Sequence, residues 1–456
     1  MVVLYALYFS QRTVGVHNGL GTSAFDFGLY DQGIWLLSRG HSPFVTLMGR
    51  NLFGDHSSFI LILLIPLYWI FSSTSLLFIV QSVVVAVGAL PVYWFARQRL
   101  RSEPLAAAMA AVYLLHPSIG WTNLENFHPD AALGTFVALA IWAAYAGKWR
   151  WYWVAVVLAL SVKEDVAFVL IPLGLWVAVK ADKKRGLITS VLSLATMATM
   201  FLVVMRSFTG VVFRNSWRIP FGGFGGLIKT AFTQPAKLIS YLWSEDRPAY
   251  VWQMLAPMGF VFLYEPSLAA VGGVMLASNI VSTFWYQHQI HYHYSIIIVP
   301  CLVMGTIWAL GKFSQPARRW ASACIVVSSL IGGYLWSPMP FARTTTTSWS
   351  SEMAPVVAAR ESISRVPEDA VVAAYHSLTA QMARRVTIYA FPNPFERSLY
   401  GPDVFARGDR LPGADAVEYV ILPLRLDEAA QKVWDVEKDR FHVVDENLWW
   451  VVYQRN

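Results

Sequence analysis

The sequence predicts an α-helical polytopic membrane protein that ends in a small α/β unit. Three observations lead there. The 456 residues are 56% hydrophobic and only 14% charged, with a mean hydropathy of +0.46, whereas a soluble chain carries about 25% charged residues. Apolar runs recur at 76–96, 104–116, 131–146, 151–162, 166–179, 187–205, 251–264, 267–284, 292–311 and 320–336. The short junctions between them alternate in character, basic at one and rich in Asp, Glu and His at the next.

The N-terminal stretch Val2 to Phe9 is apolar but shorter than the roughly 20 residues a crossing needs, and no basic segment precedes it. It reads as the outer half of a first span whose beginning lies upstream. With it, the expected number of spans is about eleven.

Residues 10–75 form a first outer loop. Within it Phe27, Tyr30, Ile34 and Leu37 follow helical spacing, with Asp31 and Gln32 off that stripe. The pattern predicts a short helix lying in the interface, Asp31 on its polar face. Residues 58–71 are apolar, contain Pro66 and are too short to cross. They read as a half-helix, and counting them as a span would put Arg97, Arg99 and Arg101 on the wrong side.

The basic junctions hold Arg97 to Arg101, Lys148 with Arg150, Lys183 to Arg185, and Lys312 with Arg318 and Arg319. Lys and Arg beside spans stay cytoplasmic, so 97–103, 147–150, 181–186 and 312–319 are expected inside. Trp149, Trp151, Tyr152 and Trp153 suit an interfacial belt there. The loop 206–250 is the second outer loop, basic and interrupted by Phe221-Gly222-Gly223-Phe224-Gly225-Gly226. Loops that long follow the charge rule poorly, and they often serve as binding loops.

After about residue 340 the composition turns polar. Thr344 to Ser348 read as a linker, followed by a helix near 352–364, a strand at 370–375, a short helix near 378–385 and strands at 416–422, 441–444 and 448–453. The expected division is therefore 1–340 for the membrane module and 341–456 for an α/β domain outside.

The net charge of +7, from 35 basic and 28 acidic residues, needs no nucleic acid; inner loops facing anionic lipid account for it. Cys301 and Cys324 lie in expected spans and suggest neither a disulfide framework nor a metal knuckle.

Charged and titratable residues gathered at one membrane face mark a candidate reaction site. Asp26 opens the interfacial helix, either as an N-cap or as a general base whose burial raises its pKa. Asp55 and His56 precede the half-helix, as caps or as groups that orient a hydroxyl or phosphate. Glu125, His128 and Asp130 sit between two spans, more than a cap requires, although Pro129 and a carboxylate also suit a helix start. Lys163, Glu164 and Asp165 interrupt an apolar stretch from 154 to 179. They either close a turn or supply a phosphate partner, Lys163 being unexpected outside. His288, His291 and His293 match no strong zinc spacing, so no metal or other cofactor is expected, and phosphate or sugar contacts are the alternative to interfacial packing with Tyr292 and Tyr294.

An outer-loop Asp opening an interfacial helix, an apolar half-helix, alternating basic and polar turns and a final outer domain together resemble the GT-C superfamily of polytopic glycosyltransferases. More closely, Phe25 to Gly40, Asn51 to Tyr68, Asn123 to Pro129 and Val162 to Asp165 look like a bacterial and archaeal family of predicted membrane proteins of unknown function; that likeness covers most of 20–310. The resemblance implies a transferase using a polyprenyl-phosphate sugar outside the plasma membrane, with Asp26 as base and an envelope glycan, lipid or protein as acceptor. The Lys-Pro-Pro motif that opens the half-helix in that superfamily is absent here, where Gly54-Asp55-His56 stands. Lys163 is then the substitute phosphate contact, while Glu125, Glu164 and Asp165 hold the sugar. A transporter or lipid flippase and a non-catalytic envelope-binding scaffold remain as alternatives. The apolar midspan positions speak against a transport site.

Overall fold

The computed structural model describes residues 1–71, 73–344, 346–347, 349–399 and 408–456. Two positions of the expected linker, Thr345 and Ser348, lie outside the described residues.

Helices dominate up to residue 336. Among the described residues three are long and apolar enough to cross a membrane: Leu76–Leu100, Lys183–Thr209 and His293–Leu310. A fourth candidate is the pair Glu103–Leu115 and Pro117–Glu125, bent by 47°. The bend follows from Pro117: the residue before a proline is pushed out of the helical region, and His116 is extended there, its Nε2 bonded to the Met254 carbonyl at 3.1 Å. Shorter apolar helices cover Phe59–Ile70, Pro129–Tyr145, Trp149–Leu160 and Ala269–Val281.

The expected apolar run 251–264 forms no continuous helix, and 267–284 is helical only over Ala269–Val281. Pro257, left-handed Gly259 and Phe260, and Pro266 break them into the short helix Arg247–Leu255, single 3-10 turns, and Gly273–Val281. Elsewhere close approach is built in. Gly174 and Gly186 let the helices Ala167–Lys180 and Lys183–Thr199 meet backbone to backbone; a Cβ on Gly186 would stand 2.2 Å from the Ala178 nitrogen. Small residues at such crossings are how helices pack where lipid removes the hydrophobic drive.

The bundle has two chemically distinct ends. At one, Arg99 stacks on Trp308 at 4.3 Å, Arg318 donates to the Leu100 carbonyl, Lys312 pairs with Glu265, and Arg185 lies over Trp149. These are the expected inner junctions. At the other end of the same helices, Gln81 accepts the His128 N–H at 2.9 Å and His293 meets Glu125.

The expected first outer loop folds as the helix Leu29–Ser38, a hairpin of β1 (Phe44–Val45) and β2 (Arg50–Asn51), and the half-helix Phe59–Ile70. The helix carries its expected apolar stripe inward, but Asp31 is not on a polar face. It is fully buried, accepts from the Tyr68 hydroxyl at 2.6 Å and pairs with Arg384 at 3.1 Å. The stripe was legible; what lies against its other side was not.

The C-terminal part holds the helix Ala354–Ser364 and strands β3 (Val372–Ala374), β4 (Ile388–Ala390), β5 (Tyr419–Pro423), β6 (Phe441–Glu446) and β7 (Trp450–Arg455) in the order β4-β3-β5-β7-β6. β3 pairs parallel with β4 and β5, and the β5-β7-β6 side is antiparallel. The helix expected near 378–385 shrinks to His376–Thr379, and β4 and the helix Glu428–Glu437 were not foreseen. One face of this sheet shares a core with the first outer loop: Phe27, Ile34 and Phe78 belong to the same buried cluster as Val372, Leu378 and Val452. Arg384, Gln381 and the Ile388 carbonyl bond to Asp31, His17 and Thr46 across it. The sheet is therefore seated on the loop rather than hanging from the last helix.

Candidate functional site

A pocket of about 270 Å3 opens where the first outer loop meets the 125–130, 163 and 284–294 segments. Its walls include Asp26, Asp55, His56, Glu125, His128, Asp130, Lys163 and His293, as well as Tyr30, Arg50 and Arg218. Residues 25–294 converge there because the helices above return their polar junctions to one end.

Asp26 sits in the turn Ala24–Gly28, just ahead of the helix Leu29–Ser38. Its backbone is at φ 65°, ψ −90°, close to the rare three-residue turn that is strained for a residue with a Cβ. It caps no helix; the cap position is Gly28, with no side-chain bond. Instead Oδ1 lies 3.1 Å from His128 Nε2. The Asp26 side chain is 41% exposed, while Glu125 and Asp130 are 11% and 9%. Of the pocket acids, Asp26 is the one most open to a ligand.

His128 is buried between two carboxylates. Its Nδ1 is 3.9 Å from Glu125 Oε2, and its ring stacks on that of His293 at 3.8 Å. Burial pushes the imidazole pKa down, but Glu125 and Asp26 outweigh it and carry it up to about 9. A charged His128 fixes one oxygen of Asp26, leaving the other for a ligand.

Lys163 is almost wholly buried, 3.2 Å from Asp130, 3.9 Å from Asp165 and over the Tyr294 ring. Burial disfavours its charge, yet Asp130 and Asp165 more than compensate and hold its pKa above the usual lysine range. Glu164 takes a structural post. It accepts the Ser57 N–H at 3.2 Å and pairs with His56 Nδ1 at 2.8 Å, so it ties the 163–165 turn to the start of the half-helix. Burial raises the Glu164 carboxyl, but His56 and Lys163 bring it down to about 2. Asp55 is shared by Arg50 and Arg214, each at 2.6 Å. Against burial, the neighbouring His56, Arg214 and Arg50 hold its pKa well below the usual range.

The three histidines of 288–293 do not act together. His288 pairs with Glu245 at 3.0 Å, His291 packs on Trp121 at 4.7 Å, and only His293 reaches the pocket. A different trio forms: Glu125, His128 and His293 offer ligand atoms all within 4.8 Å of one another. One carboxylate and two imidazoles are a donor set that borderline divalent ions accept. Glu125 and His128 are neighbours in sequence, but His293 lies 165 positions beyond His128 (293 minus 128), so no spacing announced the trio.

Sequence reading also missed Arg50, Arg214 and Arg218, and the aromatic wall of Phe284, Tyr286, Tyr292 and Tyr294. Arg218 lies 4.2 Å over Phe284. Arg214 and Arg218 were read only as part of a basic loop, Tyr292 and Tyr294 only as packing partners of the histidines, and Arg50 carried no signal of its own. Glu164, Asp165 and His291 stand behind or beside the pocket rather than on its wall.

The chain belongs to the family described as "Predicted membrane protein (DUF2079)", whose model matches residues 16–456. No curated protein matches the chain. Among solved structures, it is similar to the crystal structure of ArnT from Cupriavidus metallidurans bound to undecaprenyl phosphate, at 13% identity and a TM-score of 0.52, over 99% of this chain and 97% of that one. At that identity the likeness concerns the fold, and it extends along both chains almost end to end. The family anticipated from the sequence is the one matched, and the fold is like that of ArnT.

Proposed function

We propose that this member of the family is an inverting membrane glycosyltransferase. It transfers a sugar from a polyprenyl-phosphate donor to an envelope glycan, lipid or protein at the outer face of the plasma membrane. About eleven crossings, some made by short or broken helices, carry a module of residues 1–340, and 341–456 lie outside. The observation that carries this reading is Asp26, an accessible carboxylate oriented by a buried imidazole in a pocket whose fold is like that of a protein bound to undecaprenyl phosphate.

Asp26 takes the proton of an acceptor hydroxyl as its oxygen attacks the anomeric carbon from the side opposite the phosphate. The bond from that carbon to the phosphate oxygen breaks with its electron pair, and polyprenyl phosphate leaves. The transition state is oxocarbenium-like, as in other glycosyl chemistry. Lys163, His56 and Arg218, all on the pocket wall, stabilise the charge that grows on the phosphate. Glu125 and Asp130 face sugar hydroxyls, and the half-helix Phe59–Ile70 with its exposed Ile62, Leu63 and Trp69 offers apolar surface to the prenyl chain.

Lipid-linked sugar profiling tests it. A strain lacking the chain should accumulate one polyprenyl-phosphate sugar, and the wild-type chain, but not Asp26→Asn, should remove it. Identical profiles in all three strains would sink the proposal.

A further inference from the structure

The loop after the helix Lys183–Thr209 folds into a helical hairpin, Phe224–Thr233 and Pro235–Leu242, that plays no part in the chemistry above. Its surface is inverted relative to a loop in water. Phe224, Ile228 and Phe232 recur every four residues and form one stripe along the first helix. Phe224 is 68% exposed and Phe232 85%. On the second helix Ile239 and Trp243 continue the pattern, Trp243 being 77% exposed. Only Thr230 of the two helices is buried.

Charge says what covers this stripe. Residues 206–244 contain Arg206, Arg214, Arg218, Lys229 and Lys237 and neither Asp nor Glu. A basic helix with an exposed apolar face lies in the plane of a bilayer, rings at the acyl boundary and cations among phosphates. The hairpin starts 15 positions after the end of a helix long and apolar enough to cross a membrane (224 minus 209), which keeps it near that surface. Long lysine stems let the ammonium groups reach the head groups from the edge of the stripe.

We infer that the 224–243 hairpin is a lipid-seated anchor whose partner is the outer-leaflet surface, with anionic phospholipid head groups around Lys229 and Lys237. The seat also bears on the pocket. The same loop supplies Arg214 to Asp55 and Arg218 to the pocket wall. It is pinned from the other side by Tyr241 on the Val281 carbonyl at 2.9 Å and by the Thr283 N–H on the Arg218 carbonyl at 2.8 Å. The hairpin thus fixes against lipid the segment that sets two arginines at the site. The inference rests on membrane insertion of residues 183–209, not on glycosyl transfer.

Spin labelling of the full chain tests it. In a Cys301→Ala, Cys324→Ala background, single cysteines replace Ile228, Phe232 or Trp243, with Thr233 and Ser240 as polar controls. Each labelled protein is placed in nanodiscs of phosphatidylcholine and phosphatidylglycerol. Collisions with oxygen should exceed those with nickel-EDDA at 228, 232 and 243, and the order should reverse at 233 and 240. With Ile228→Glu and Phe232→Glu added, the label at 243 should move toward nickel-EDDA. Nickel-EDDA dominance at every apolar position would overturn the inference. So would spin–spin broadening that grows with protein copies per disc, since a second copy of the chain would then cover the stripe. A chain inactive as a transferase but oxygen-dominated at these positions would leave the anchor standing and remove only the proposed function.

Discussion

Asp26 Oδ1 and His128 Nε2 meet at 3.1 Å although 102 positions separate them, the difference between 128 and 26. One residue is accessible on a strained turn and the other is buried between carboxylates. A carboxylate with one oxygen held by a cation and the other open is geometrically suited to accept a proton.

Asp26→Asn should keep the shape and remove the base. Transfer per folded molecule should fall by about 10²–10⁴-fold, while the melting temperature in detergent drops only modestly, because His128 loses one of the two carboxylates that hold its charge. Wild-type turnover in this variant would move the base elsewhere in the pocket, to Glu125 first.

His128 links stability to pH. Its folded pKa of about 9 lies above its ordinary 6.5. The stabilisation it brings is therefore complete below about pH 6.5 and is lost as pH rises through about 9. The shift corresponds to on the order of 3 kcal/mol. The melting-temperature gap between wild type and His128→Gln should be widest at pH 6 and close as pH passes 9. A gap that stays constant across that window contradicts a charged His128.

Lys163 is expected to matter twice. Lys163→Ala strands Asp130 in a buried position, and breaking such a pair costs about 3–5 kcal/mol. Adding Asp130→Asn should recover part of that loss. If Lys163 also meets the donor phosphate, donor KM should rise in the double variant, and Lys163→Arg should retain part of the activity because charge is kept while geometry changes. Melting temperature and turnover measured on one preparation separate the two roles. A destabilised but fully active Lys163→Ala would remove it from the donor site.

Asp31 and Arg384 join the first outer loop to the C-terminal sheet. Either Asp31→Asn or Arg384→Met should destabilise that joint, by about 3–5 kcal/mol for loss of one partner. Hydrogen exchange should quicken in 372–390 and 29–38 together. Quickening confined to the mutated segment would mean that the two parts are not coupled there.

Orientation is open to direct test. A single cysteine at Lys184 should be shielded from an impermeant maleimide in intact cells, and cysteines within 349–364 should react. Labelling at 184 would invert the topology, and the candidate site with it.

The membrane class, the basic and polar junctions, the half-helix and most C-terminal strands were legible in the sequence because they rest on local signals: apolar run length, charge next to a run, and alternation. Even so, 251–264 and 267–284 read as unbroken apolar runs, since a hydropathy count does not weigh the helix breaks at Pro257, Pro266 and the left-handed Gly259 and Phe260. The site was legible as a set of residues, and Asp26, His56, Glu125, His128, Asp130, Lys163 and His293 do share one pocket. Their partners were not. Asp31 read as a surface residue because its neutralising Arg384 lies 353 positions away. The three histidines looked like a group only because they are adjacent in sequence, while packing sends His288 to Glu245, His291 to Trp121 and His293 to Glu125.

By itself, then, the sequence determined which segments are apolar, which junctions carry charge, and which titratable residues are available at one membrane face, because burial in lipid and the cost of moving charge act on local composition. Tertiary structure alone decided which of those charges neutralise each other and which is left accessible. Pairing depends on distances between segments as far as 353 positions apart, and a buried charge is stable only beside its counter-charge. That is why Lys163, Asp55 and Asp31 end in closed pairs and Asp26 faces the pocket.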